Sequence, residues 1–220
     1  MHLAVLGASG RTGRPLVDQA LATGHMVTVL VRDAARAPAE HERLRVVVGD
    51  AGRAEDIGAA VRGADAVLSV LGHAKGAPPD VQTAATRHVV AALRASGGGR
   101  LLSLTGAGVP DPNDPPYLPA VLVRAVMRAV TGAVLADAIA HAAVLRAAPD
   151  VGWTLVRAPR LTNGPKTGRY RTGYLKLGPT HHVARADVAD FMLHLATRGG
   201  FEHEAPMITA DEERPKTSGR

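Results

Sequence analysis

Cysteine is absent from all 220 residues, which excludes disulfides, thiolate nucleophiles and cysteine-held metals. The absence fits an intracellular setting, and a cytoplasmic location is expected. Aromatic residues are scarce, at 3%, whereas apolar residues make up 46%. The core must therefore be aliphatic, built from Val, Leu and Ala, a composition that suits a parallel sheet covered by helices. No apolar run approaches the roughly 18 residues that suggest a membrane span. The start, Met1-His2-Leu3-Ala4-Val5-Leu6-Gly7, lacks the charged head and apolar stretch of a signal peptide and reads as a strand entering a glycine loop. The net charge is +6, but the arginines are scattered and have no stacking aromatics between them. That pattern argues against a nucleic-acid partner and for a solvated basic surface, part of which serves an anionic cofactor.

Apolar runs at Leu3–Leu6, Met26–Val31, Val46–Val48, Ala66–Leu71, Leu101–Leu104 and Trp153–Val156 read as strands, and Met207–Thr209 reads as a short last one. Helical patterns fill the gaps. Arg14–Ala22 is stopped by Gly24, and the periodic set Val81, Ala84, Ala85, His88, Val89, Ala92 and Leu93 ends at Gly97-Gly98-Gly99. Val188, Phe191, Met192 and Leu195 keep the same spacing near the end. This alternation predicts an α/β Rossmann fold: a doubly wound, mostly parallel sheet with helices on both faces. Residues 1–210 are expected to form one domain, with small substrate-side insertions at about 110–135 and 160–182. The first insertion opens with the proline-rich loop Pro110–Pro119 and continues in two helical stretches, about Leu118–Val130 and Val134–Ala147. The second is polar and glycine-rich. Residues 211–220 read as a disordered tail.

Gly7-Ala8-Ser9-Gly10-Arg11-Thr12-Gly13 has the spacing G-x-x-G-x-x-G between a strand and a helix. The first glycine permits the tight turn, the second lets backbone approach a pyrophosphate, and the third lets helix and sheet pack closely. Helix amides and the positive helix end then face the phosphates, with Ser9, Arg11 and Thr12 as further donors. A bare strand–helix turn is the plain alternative. At the end of the second strand Arg32 stands where an acid would mark NAD, so NADP(H) is preferred over NAD(H), with Arg36 nearby. Asp33 would then cap the next turn. Asp50 ends the third strand, where it either accepts the adenine amino group or caps the helix near Glu55. Leu71 and Gly72 end the fourth and form a backbone wall.

The stretches Gly7–Gly13, Val29-Leu30-Val31-Arg32-Asp33, Val46-Val47-Val48-Gly49-Asp50, Gly168-Arg169-Tyr170 and Asp187-Val188-Ala189-Asp190-Phe191-Met192-Leu193 occur in order. In this they resemble the atypical short-chain dehydrogenase/reductase family with a single NAD(P)H-binding domain, in its biliverdin and flavin reductase-like branch. The resemblance covers about residues 2–197 and is loose over 110–135. It implies a monomer, with a homodimer as the alternative, that uses NADPH to reduce flavins, quinones or tetrapyrroles. It also implies that Gly7–Gly13, Arg32, Asp50, Leu71 and Gly72 hold the cofactor, with Thr105, Gly106 and Pro159 beside the nicotinamide. Three positions depart from the pattern. Gly106 replaces a serine, Arg160 replaces a histidine, and Ala184 replaces the serine that caps the last helix.

The main short-chain dehydrogenase branch reduces carbonyls with a Tyr-x-x-x-Lys pair. Here Tyr117 is followed at that spacing by Val121, Tyr170 by Tyr174 and Tyr174 by Gly178, so alcohol dehydrogenase or epimerase chemistry of that type is not expected. Hydride transfer to a flavin, quinone or related conjugated small molecule needs no strong protein acid. Thr105 and Arg160 are the candidate catalytic residues: Thr105 near the hydride path, Arg160 against a developing negative charge. Their plain alternatives are a strand-end hydroxyl and a surface arginine. A non-catalytic NADP(H)-binding redox sensor is the competing reading. An isomerase or dehydratase is a third, with Asp137 and His141 as its loose acid–base candidates. His181, His182, His194 and His203 lie on different elements and show no metal-ligand spacing, so no metal is expected.

Overall fold

The structure, a computed structural model, describes residues 1–73, 76–116 and 132–211. The sequence alternates as β1 (His2–Leu6), α1 (Gly13–Ala22), β2 (Met26–Val31), β3 (Leu44–Val48), α2 (Ala54–Val61), β4 (Ala66–Ser69), α3 (Val81–Ser96) and β5 (Arg100–Gly106). It continues as α4 (Gly132–Arg146), β6 (Gly152–Ala158), β7 (Arg160–Thr162), β8 (Tyr170–Gly173), β9 (His182–Ala184), α5 (Arg185–Arg198) and β10 (Met207–Ala210). The expected helix Leu118–Val130, Tyr117 and the tail beyond Asp211 lie outside the described residues.

The main sheet has the order β3-β2-β1-β4-β5-β6-β10-β8. Its pairs are parallel except β8 with β10. The first six strands follow the doubly wound Rossmann order, whose direction reverses between β1 and β4. Side-chain alternation explains the two covered faces. Leu3 and Val5 of β1 point into one core with Leu16, Val17 and Ala20 of α1 and Val188, Met192 and Leu195 of α5. Ala4 and Leu6 point into the other, with Ile57 of α2, Val89 and Leu93 of α3, and Leu145 of α4. Both cores are overwhelmingly aliphatic; Trp153 and Phe191 are their buried aromatics.

Several strand boundaries differ from the sequence reading. Strand four stops at Ser69, short of Leu71, because β1 turns away at Gly7; the last ladder bond runs from Val70 N–H to the Leu6 carbonyl, 2.9 Å. Strands five and six run longer, because Arg100 to Gly106 pairs continuously with Gly152 to Ala158. Three strands were not anticipated: β7 and β9, which form a two-stranded parallel sheet, and β8. They are only three or four residues long, and their partners are distant in sequence. The polar segment before β8 is held from α5. The Asp187 carboxylate accepts the Thr167 and Gly168 amides at 2.7 and 2.9 Å and the Thr167 hydroxyl at 2.9 Å, and Tyr170 donates to Asp190 at 2.9 Å. Gly168 sits at φ 66°, a conformation that favours glycine. The Gly-Arg-Tyr and Asp-x-x-Asp stretches thus form one latch. Ala184 caps α5 with no side-chain hydrogen bond, as its identity dictates.

Candidate functional site

A groove crosses the carboxyl ends of the parallel strands at the reversal between β1 and β4, where open α/β sheets place ligands. It has two connected halves that share Gly10, Val70, Leu71 and Gly72. One half is bordered by Gly7, Ser9, Arg32, Arg36, Gly49, Asp50, Ala51, Ala77 and Pro78. The other is bordered by Arg11, Thr12, His73, Gln82, Leu104, Thr105, Gly106, Ala158, Pro159, Leu161 and Arg185.

The turn between the halves requires its glycines. Gly7 sits at φ 84°, and a Cβ there would lie 2.9 Å from the Val70 carbonyl oxygen. A Cβ at Gly13 would lie 2.1 Å from the Gly7 carbonyl oxygen, a backbone overlap no rotamer relieves. The loop is therefore pressed against both the residue that follows β4 and the start of α1, and it is closed by the Gly10 amide donating to the Gly7 carbonyl and the Arg14 amide to the Gly10 carbonyl, both at 3.0 Å. Ala8 is fully buried beneath the loop, and neither Ala8 nor Gly13 borders the groove. They shape the loop from behind.

At the end of β2, Arg32 and Arg36 border the same half-groove, and among the described residues neither forms an ion pair. Asp33 turns away and accepts the Ala35 amide at 2.9 Å, capping a short helical turn over Ala34–Arg36. Asp50 holds its own loop by accepting the Gly52 amide at 2.7 Å, while its amide donates to Asp56 at 2.9 Å. It also borders the groove, so the loop role and a ligand-facing position coexist in one residue.

In the second half Thr105 is 6% exposed, and its buried hydroxyl has no hydrogen-bond partner. Such a group costs about 1–3 kcal/mol unless a ligand or water satisfies it. Glycines that let a ligand approach backbone, two cations at one end and an orphaned hydroxyl at the other fit a nicotinamide dinucleotide. Arg160 is exposed on β7 and does not border the groove. The arginine that does is Arg185, at the start of α5. It donates to the Leu161 carbonyl at 3.2 Å and to Asn163 Oδ1 at 2.6 Å. Burial lowers its pKa, and the neighbouring Arg11 guanidinium lowers it further. Two like charges bordering one half-groove favour an anionic occupant.

Sequence reasoning also missed His73 and Gln82. Gln82 donates to the Leu71 carbonyl at 2.6 Å, bracing the groove wall. His73 Nε2 lies 3.0 Å from Asp137 Oδ2 and 3.1 Å from the Pro79 carbonyl. Asp137 is 4% exposed and caps α3 from α4: it accepts the Gln82 and Thr83 amides at 3.0 Å each and the Thr83 hydroxyl at 2.5 Å. His141, one turn along α4, is buried with both ring nitrogens unpartnered. Burial pushes its pKa down to about 4, against a smaller opposing pull from Asp137. His73 follows Gly72 directly and was within reach of the sequence reading, but its pairing across 64 residues was not.

Both described tyrosines are occupied. Tyr170 is bonded to Asp190, and its pKa is raised by burial and then by that carboxylate. Tyr174 accepts from the Asn113 amide group and the Ala205 N–H, both at 3.3 Å, and Arg157 lies over its ring. Among the described residues no helix is long and apolar enough to cross a membrane, and no group of three potential ligands is placed to hold a metal.

A model of the NAD(P)H-binding family matches residues 7–198. A curated Streptomyces protein, 3-diazoavenalumate denitrifying reductase, is 37% identical over 186 residues, covering 79% of this chain. The chain spans 60% of that relative's length. The anaerobilin reductase ChuY of Escherichia coli O157:H7 superposes with a TM-score of 0.79 at 22% identity, covering 98% of this chain and all of its own. A Streptococcus pneumoniae protein, provisionally named an NADH-flavin reductase, superposes at 0.70 with 23% identity, covering 96% and 100%. At these identities the two structures establish likeness of fold.

Proposed function

The chain belongs to the NAD(P)H-binding family, and from that premise we propose that it is an NADPH-dependent reductase of a flavin, quinone or related conjugated acceptor. The observation that carries this reading is the single groove running from Arg32 and Arg36, past the Gly7–Gly13 turn, to the orphaned Thr105 hydroxyl. In it Arg32 and Arg36 take the ribose phosphate, a fork onto phosphate being the geometry at which guanidinium excels. Ser9, Gly10, Arg11 and Thr12 take the pyrophosphate, and Asp50, Leu71 and Gly72 flank the adenosine side. Thr105, Gly106 and Pro159 orient the nicotinamide. When bound, the reduced nicotinamide supplies a hydride; the protein's part is to hold the acceptor in line with it and keep competing reactions out.

Arg185, the other guanidinium of the nicotinamide half, extends the reading to an acceptor that carries an anionic group. The Streptomyces relative, whose name describes a diazo carboxylate as its substrate, supports placing aromatic diazo acids beside flavins, quinones and biliverdins among the acceptors to test. The test is to mix purified protein with NADPH or NADH and follow loss of nicotinamide absorbance with each acceptor class. Turnover with NADPH and little with NADH is expected. NADPH oxidation with none of the classes would overturn the reductase reading, and tight NADPH binding without turnover would favour the redox sensor.

A further inference from the structure

A hydride brings an acceptor two electrons and one hydrogen nucleus, and a neutral reduced product needs a proton as well. Among the described residues, the side chains with exchangeable protons in the nicotinamide half of the groove are Arg11, Thr12, His73, Gln82, Thr105 and Arg185. Arginine does not release its proton in proteins, and threonine and glutamine are not acids in water. Histidine remains, the side chain suited to proton transfer near neutral pH.

The surroundings of His73 fix which nitrogen can act. Both partners of Nε2, the Asp137 carboxylate and the Pro79 carbonyl, are acceptors, so Nε2 carries a hydrogen in every charge state. Nδ1 has no hydrogen-bond partner among the described residues and is the nitrogen left to exchange a proton with a groove occupant. Asp137 is itself immobilised by the three donors of the first turn of α3, so the imidazole is oriented by a buried carboxylate that cannot swing away.

We propose that His73 is the proton donor of the reductase, with Asp137 as its positioning residue. The proposal rests on the reductase reading. As the hydride, given up by the dihydronicotinamide, forms a new bond to hydrogen on the acceptor, the acceptor gains one negative charge. The Nδ1–H bond of the His73 imidazolium breaks, its electron pair stays on nitrogen, and the proton passes to the acceptor. His73 is left neutral with its Nε2–H still on Asp137, and solvent returns the proton. Among the described residues, the other charged or titratable groups around it are Arg11 and Arg185 on the same half-groove, exposed Asp80 before α3, and His141 one turn from Asp137. Because the protonated imidazole is the donor, turnover falls with rising pH.

The test compares wild type, His73→Gln and Asp137→Asn in the full chain. Imidazole ¹⁵N–¹H correlation spectra without cofactor are expected to show the Nε2–H tautomer at His73, with its Nε2 resonance shifted in Asp137→Asn, where the carboxylate charge is gone and the Pro79 carbonyl remains. His73→Gln is expected to bind NADPH unchanged, lower kcat by about 100- to 10,000-fold at neutral pH, and lose the alkaline fall in kcat. If the wild type reduces no acceptor, the reductase reading fails and this proposal with it. If the wild type turns over and His73→Gln matches it in rate and pH profile, or if the spectra show the Nδ1–H tautomer, this proposal alone is overturned.

Discussion

Arg157 is a fully buried guanidinium in β6, and its loss of a partner has a calculable cost. Its Nη1 and Nη2 fork onto Asp114 at 2.9 and 2.6 Å, while Nη1 also reaches the Val109 carbonyl at 2.8 Å and Nε the Ala205 carbonyl at 2.7 Å. The fork ties the proline-rich loop after β5 to the sheet beside Thr105. Asp114→Ala leaves a buried charge with neutral acceptors only. Breaking a buried pair this way costs about 3–5 kcal/mol. Two carbonyls remain and the Asp114 side chain is 19% exposed, which admits water, so the lower end, about 3 kcal/mol, applies. For a domain of this size each kcal/mol moves Tm by about 2–4 °C, giving a fall of about 6–12 °C. Calorimetry and urea unfolding should agree, with the midpoint lowered at constant slope. The double variant Asp114→Leu with Arg157→Met should recover most of the loss, since it removes the uncompensated charge. A fall below about 2 °C in Asp114→Ala, or a double variant no better than the single one, would refute the reasoning.

Three other perturbations have signed outcomes. Arg32→Glu should weaken NADPH by about 10- to 100-fold, the equivalent of the roughly 1.5–3 kcal/mol of a charged hydrogen bond, and NADH far less; equal losses in titration calorimetry would rule out a 2′-phosphate role. Thr105→Val replaces an unpartnered buried hydroxyl by a methyl of similar shape, so the Tm of the cofactor-free protein should hold or rise while NADPH binding weakens. A fall in Tm without NADPH would show that the hydroxyl is satisfied. His141 is held neutral in the fold, its pKa lowered from 6.5 to about 4 by burial. The unfolded chain therefore binds the extra proton first as pH drops, and stability complete above pH 6.5 is lost towards pH 4, by about 3 kcal/mol. His141→Leu should flatten that part of the stability profile, and an unchanged slope between pH 6.5 and 4 would contradict the buried, unpaired assignment.

The sheet and the glycine turn were legible because their causes are local. An apolar run followed by G-x-x-G-x-x-G and a helical period can bury its apolar residues in few ways, and the overlap at a Gly13 Cβ shows why the spacing is strict. Gly97 at φ 74° ended α3 where the glycine run lay, and Ala184 left α5 without a side-chain cap. Arg32 and Asp50 came to the groove because strand ends in this order converge on one edge.

The short strands β7, β8 and β9 had no comparable local signal. Their hydrogen-bond partners arrive from elsewhere in the chain, and the latch before β8 is a buried carboxylate, Asp187, whose partners are two backbone amides and the Thr167 hydroxyl. The same reason moved the groove arginine from Arg160 to Arg185: in a strand of three residues the facing of a side chain follows its pairing, and that pairing joins β7 to β9 across about twenty residues. The sequence by itself determined the alternating, doubly wound sheet and the cofactor turn, since periodicity and glycine stereochemistry act over a few residues. Only the tertiary structure decided that His73 meets Asp137, that Arg157 is buried against Asp114 and that Thr105 is left without a partner, because a hydrogen bond is fixed by where two distant segments come to rest in three dimensions.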